Sequence, residues 1–226
     1  MKPRTNVLLV PVLMAFLVPI AAASAQEPAA QGARIAMAAR QQVGVTKEYD
    51  PAYVALEYPG GDVPIHTGVC SDVVIRALRQ VDIDLQKEVH EDMAKNFSAY
   101  PQKWSLKRPD KNIDHRRVAN LMRYFERHEI ALNENLGTRE TYRPGDVVAW
   151  DLGKGVLHTG IVSDKAAGTT PLIIHNIGGG AKEEDILFQY QVIGHYRIRE
   201  RAKPAAPAGE SQPVRSGTNR TSSAAD

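Results

Sequence analysis

Three residues of this chain have the types and placement for acyl-transfer chemistry: Cys70, His158 and His175. Cys70 is the only cysteine among 226 residues. It opens the run Cys70-Ser71-Asp72-Val73-Val74-Ile75-Arg76-Ala77-Leu78-Arg79, whose apolar spacing predicts a helix capped by Thr67 or Gly68, with the cysteine in the first turn on the core-facing side. Unpaired N–H groups and the helix dipole favour negative charge there, which lowers a thiol's pKa and makes the thiolate nucleophile. The same N–H groups, that of Cys70 included, suit an oxyanion hole.

A base must come from elsewhere, and two strand histidines offer it. If strands over 156–163 and 171–177 form a hairpin turning between Ala166 and Ala167, His158 and His175 are directly opposed. Opposed residues share a face with Cβ atoms about 5 Å apart. His158 is then the base and His175 the group that orients it. Asn176 ranks behind His175, because alternation points it to the opposite face. Taken singly, each residue has a plainer reading: a free cysteine is commonly a small buried hydrophobe, and a strand histidine a hydrogen-bonded structural residue. A zinc site of Cys70, His158 and His175 is the other option, but HExxH and CxxC spacings are absent and His90-Glu91-Asp92 lacks a second histidine one turn on. Neither metal nor organic cofactor is expected.

Elements to carry these residues follow from periodicity. Helices are predicted over Ala33–Val43, from Cys70, over Leu85–Phe97 and over Ile113–His128, the last with Val118, Leu121, Met122 and Phe125 as its apolar stripe. After Pro144-Gly145 the pattern becomes that of strands: Asp146–Leu152, Val156–Val162, Leu172–Ile177 and Val192–Arg199. Helices preceding a mostly antiparallel sheet define the α+β class.

The ends read differently. Lys2 and Arg4, the apolar run Val7–Ile20 and the small residues Ala23-Ser24-Ala25 form a signal peptide over 1–25, too short in its apolar part for a bilayer span of about 20 residues. Residues 202–226 are Ala, Pro, Gly, Ser and Thr with scattered charge, the composition of a disordered tail. A single domain over 32–201 remains. Export to the periplasm or beyond is expected, with no stable membrane anchor after cleavage. Exported proteins use cysteines in pairs, so an unpaired one invites a chemical role. Charge is interspersed, 28 basic against 26 acidic residues for a net +2, without the basic stripe that binds nucleic acid. A monomer is expected.

Cysteine at a helix start, then GDVVAW and HTGIV on a hairpin, then LIIHN on the next strand, resembles the NlpC-type cysteine peptidases of the papain-like superfamily. More closely, GVCSDVVIRALR, NIDHRRVANL, HTGIVSD, IIHNIGGG and IGHYR between Tyr49 and Arg199 resemble a family of small secreted bacterial proteins known as a domain of unknown function and related to that superfamily. The resemblance implies a papain-like fold, with the cysteine helix packed on the sheet. It also implies hydrolysis of an amide bond in peptidoglycan stem peptides by Cys70, His158 and His175. Val69-Cys70-Ser71-Asp72 departs from the commoner Asp-Cys-Ser-Gly pattern. A catalytically silent module that binds cell-wall peptide or lipid on the same fold is the alternative. Arg116 and Arg117 of Asp114-His115-Arg116-Arg117 are candidates to clamp a substrate carboxylate. Tyr58 and Asp62, in the loop before Cys70, are candidates to line the cleft.

Overall fold

A computed structural model describes residues 20–128 and 130–199. Most of the expected signal peptide, and the whole of the expected tail at 202–226, lie outside the described residues. Helix α1 spans Ile20–Arg40, beginning well before the predicted Ala33 and crossing the expected cleavage point at Ala25. Its first half is rich in alanine, the best intrinsic helix former, which the apolar periodicity did not register. Helix α2 spans Cys70–Arg79 and α3 Leu85–Asn96, the latter started by Asp84, whose side chain accepts the Gln86 N–H. The helix expected over 113–128 is broken. A 3₁₀ turn at Asp114–Arg116 is followed by extended Arg117, and α4 begins only at Val118 and ends at Arg127. The turn is captured by α2: Ser71 Oγ donates to the Arg116 carbonyl at 2.7 Å, and Arg116 pairs with Asp72.

A two-residue parallel pair, β1 (Glu48–Tyr49) with β2 (Thr67–Gly68), leads into α2. The main sheet contains β3 (Val147–Asp151), β4 (Leu157–Ala167), β5 (Thr170–His175), β6 (Lys182–Glu184) and β7 (Gln191–Tyr196). Their spatial order is β6-β5-β4-β3-β7 and every pairing is antiparallel. Helices plus an antiparallel sheet match the expected α+β class. Strand β6 was not anticipated, because Lys-Glu-Glu carries no hydrophobic alternation.

The faces of this sheet separate two cores. Val73, Val74, Leu78, Leu121 and Phe125 of the helices pack with Val147, Ala149, Ile161 and Ile174. Val148, Trp150, Val162 and Ile173, which alternate with those strand residues, pack on the other side with Tyr142, Ile186 and Leu187. Trp150 is fully buried there, and its indole N–H donates to the Leu187 carbonyl at 2.9 Å.

Candidate functional site

Cys70 begins α2, 4 % exposed and within the helix-side core. Backbone geometry brings it there. Gly68 has φ +154°, and a Cβ on it would lie 3.2 Å from Asp72 and 3.3 Å from Arg76, so the chain entering the helix passes where a side chain would crowd both. The Asp72 carboxylate accepts the Val69 N–H at 2.7 Å, closing the first turn. Arg116 in turn clamps Asp72 with Nε and Nη2, each at 2.9 Å, and its side chain is 2 % exposed.

The thiol's environment reverses the expectation drawn from the helix start. Burial is the largest influence and disfavours the thiolate. The N–H groups of Thr159, Ser71 and Cys70 itself favour it, while the Asp72 charge opposes it; the net result is a thiol pushed up to about 11. The helix-start N–H groups are in place, but desolvation and the neighbouring carboxylate outweigh them.

His158 and His175 share a sheet face, although not in the predicted register. The hairpin turns at Gly168-Thr169, and an irregularity falls between Val162 and Ala166. Ile161 therefore pairs with Ile174, which sets His175 across from Gly160 and diagonal to His158. Gly160 is needed at that point: a Cβ would come within 2.8 Å of Ile173 and 3.0 Å of the His175 Cβ. The two rings meet edge to face, with His158 Nε2 3.0 Å from His175 Nδ1. His158 of β4 pairs with Trp150 of β3, their tilted rings 5.7 Å apart between centroids, so both histidines occupy the face away from the helices. Burial, then repulsion from His175, lowers the His158 pKa to about 3. The His175 pKa is also lowered, chiefly by burial and against the pull of Glu184.

Cys70 approaches β4 from the helix side. The Thr159 N–H, next in the chain to His158, is near enough to favour its thiolate, and among the described residues its sulfur makes no hydrogen bond to the His158 ring. Among the described residues His158 Nδ1 has no hydrogen-bond partner, and it is not sealed from solvent. Thiol and imidazole thus rest neutral at the start of β4, without a direct hydrogen bond between them.

A residue outside the sequence reading extends the imidazole pair. His175 Nε2 lies 3.1 Å from Glu184 Oε2 on β6. The only sequence signal for it was Gly178-Gly179-Gly180 after a strand, a turn that can return the chain as a hairpin. Asn176 takes the other face, as alternation required: its Nδ2 donates to the Gly68 carbonyl at 2.9 Å and pins the loop before α2.

Cys70 opens onto a cleft of about 440 Å³ lined by Tyr49, Pro51, Lys103, Trp104, Arg116, Arg117 and Leu157 among others. Of the two candidate guanidinium groups, Arg116 is spent on Asp72 and on the carbonyls of Ala52 and Asp50. Arg117 lies 4.1 Å over the Trp104 ring, 3.6 Å from Asp114, with Lys103 nearby on the wall. Tyr58 and Asp62 are not in the cleft lining. Tyr58 packs edge-on to His90, and Asp62 accepts from Arg76 Nε at 2.8 Å, because the loop folds back on α2 and α3. No cluster of three metal-ligating side chains occurs among the described residues.

Fold and site together define a class: a helix-and-antiparallel-sheet protein whose lone cysteine opens a buried helix against a histidine-bearing strand. Residues 36–198 match the family described as Domain of unknown function (DUF1287), and the chain belongs to that family. It is 62 % identical over 164 residues to the uncharacterized protein YijF of Escherichia coli strain K12, covering 72 % of this chain and 80 % of YijF. Among solved structures, NlpC1 from Trichomonas vaginalis is similar with a TM-score of 0.40 and 17 % identity, over 74 % of this chain and 43 % of that one. The chain thus spans less than half the length of that structure.

Proposed function

We propose that this protein is an exported cysteine hydrolase of papain-like, NlpC-type architecture that cleaves an amide bond in peptidoglycan stem peptides. The observation that carries the reading is the pair of imidazoles at the start of β4, where His158 Nε2 is held by His175 and the neighbouring Thr159 N–H favours the Cys70 thiolate. Only Nδ1 of His158 is left to exchange a proton. In the reaction, the Cys70 thiol gives its proton to His158 Nδ1 by way of a bridging water at the start of β4, and the sulfur attacks the substrate carbonyl. The tetrahedral oxyanion takes N–H donors of the first turn of α2. His158 then returns the proton to the leaving amine, leaving a thioester. Water, losing a proton to His158, attacks the thioester and releases the acid and the thiol. His175 holds the orientation of His158 throughout. Arg117 and Lys103 supply positive charge on the cleft wall for a peptide carboxylate, and Trp104 offers a flat apolar surface.

The test is incubation of the mature protein, and of Cys70→Ala and His158→Ala variants, with purified sacculi and stem peptides, products being identified by mass. Cleavage by the wild type alone is expected. The buried, protonated thiol favours the second reading, a silent binding module for the same peptides. Binding that survives Cys70→Ala, with no product from any form, would establish that module in place of the hydrolase.

A further inference from the structure

The carboxylate at the end of the imidazole pair sits where strand alternation divides two neighbouring acids. Glu183 lies across from Ile174, on the helix side, and pairs with Arg40, Ser163 and Lys165. Glu184 lies across from Ile173, on the face of the two histidines, and reaches His175. We propose that Glu184 is a positioning residue that fixes the tautomers of both imidazoles, so that the basic lone pair of His158 is on Nδ1. The inference rests on the hydrolase reading above for its catalytic meaning.

Proton counting along the chain of contacts fixes the tautomers. A neutral imidazole has one N–H and one lone pair, and an ionised carboxylate can only accept. With Glu184 at Nε2, the proton of His175 is on that nitrogen, and its Nδ1 becomes an acceptor. The 3.0 Å contact to His158 then requires His158 Nε2 to donate, which leaves Nδ1 bare. Nδ1 is also the ring nitrogen without a hydrogen-bond partner among the described residues, and it is not sealed from solvent. The opposite polarity would set lone pair against carboxylate at Glu184 and leave a proton on the nitrogen that has to accept one. Lys182, opposite His175 on β6, approaches the second oxygen of Glu184 at 3.9 Å and steadies the carboxylate. Glu184 touches neither sulfur nor cleft; it acts through His175.

The experiment is two-bond nitrogen–proton correlation NMR on protein carrying ¹⁵N-histidine, for the wild type, Glu184→Leu, the shape-matched Glu184→Gln and a Glu183→Gln control. The expected result is a proton on Nε2 of both His158 and His175 in the wild type and in the control. Glu184→Leu should give mixed tautomers, with Glu184→Gln intermediate because its amide can accept or donate. Turnover of a cleaved wall peptide should fall roughly tenfold or more in Glu184→Leu, the scale of loss when the partner of a functional imidazole is removed. A wild-type His158 protonated on Nδ1 would overturn the proposal. So would unchanged tautomers in Glu184→Leu, or the same scrambling in Glu183→Gln. The tautomers are read without substrate, so a wild type that cleaves nothing would remove the hydrolase reading while this result stood or fell on its own.

Discussion

Cys70 should resist alkylation at neutral pH and gain reactivity steeply as the pH rises. The structure supplies the magnitude. Burial and the Asp72 charge push the thiol to about 11, in spite of three nearby N–H groups that favour the thiolate. At pH 7 that leaves about one thiolate in ten thousand molecules, against about one in thirty for a free cysteine of pKa near 8.5. Iodoacetamide should therefore modify the native protein about 300-fold more slowly than the same protein in denaturant, before any steric protection. The native rate should climb about tenfold per pH unit to about pH 10. Mass spectrometry of quenched time points measures both rates. The sign also runs through stability: the fold prefers the protonated thiol, so nothing is lost below the unfolded pKa. Stability then declines as pH rises through the interval up to about 11. The full penalty is about 3 kcal/mol, and Cys70→Ala should remove it. A native rate that plateaus below pH 8 would refute this reasoning and show instead a preformed thiolate–imidazolium pair.

Other outcomes follow from individual contacts. Gly160→Ala should destabilise the protein by about 1–3 kcal/mol in chemical denaturation and scramble the His175 ring environment, since the added carbon meets Ile173 at 2.8 Å. Arg116→Met should cost about 3–5 kcal/mol by stranding the buried Asp72 carboxylate, and Asp72→Asn in that background should recover part of it. His158 and His115, with pKa values lowered to about 3 and about 4 chiefly by burial, stay neutral in the fold but protonate on unfolding below the ordinary histidine value. Thermal stability should therefore be intact at pH 7 and fall on acidification toward pH 4.5, by about 2 kcal/mol per histidine. His115→Gln should flatten that slope. Arg117→Met should raise KM about tenfold for a cleaved peptide bearing a carboxylate, with kcat little changed; an unaltered KM would remove Arg117 from recognition.

Much of the framework was legible because it is local. Val73, Val74, Ala77 and Leu78 disclose the cysteine helix, and the alternation in HTGIV and LIIHN puts the histidines on one face for any even shift of the register. The register itself was not legible, because the turn falls at Gly168-Thr169, two residues later than expected, and the irregularity between Val162 and Ala166 then changes the pairing by two residues, neither leaving a trace in a period-two pattern. The helix over 113–128 was misjudged at its start for a different reason. The side chains that break it, Ser71 and Asp72, lie more than forty residues away in the chain, and such captures have no periodicity. Asp62 and Tyr58 are near Cys70 in sequence, yet their loop turns outward to Arg76 and His90. The thiol's pKa was misjudged because the helix dipole is a property of sequence position, whereas desolvation is a property of the finished core.

His175 and Asn176 are neighbours on one strand, one bonded to the imidazole on the far face, the other to the Gly68 carbonyl that precedes the cysteine helix. This dipeptide is a yoke. Through two adjacent residues β5 is thus tied both to the imidazole side and to the loop that delivers the cysteine helix, so a displacement of this dipeptide acts on both halves of the site together.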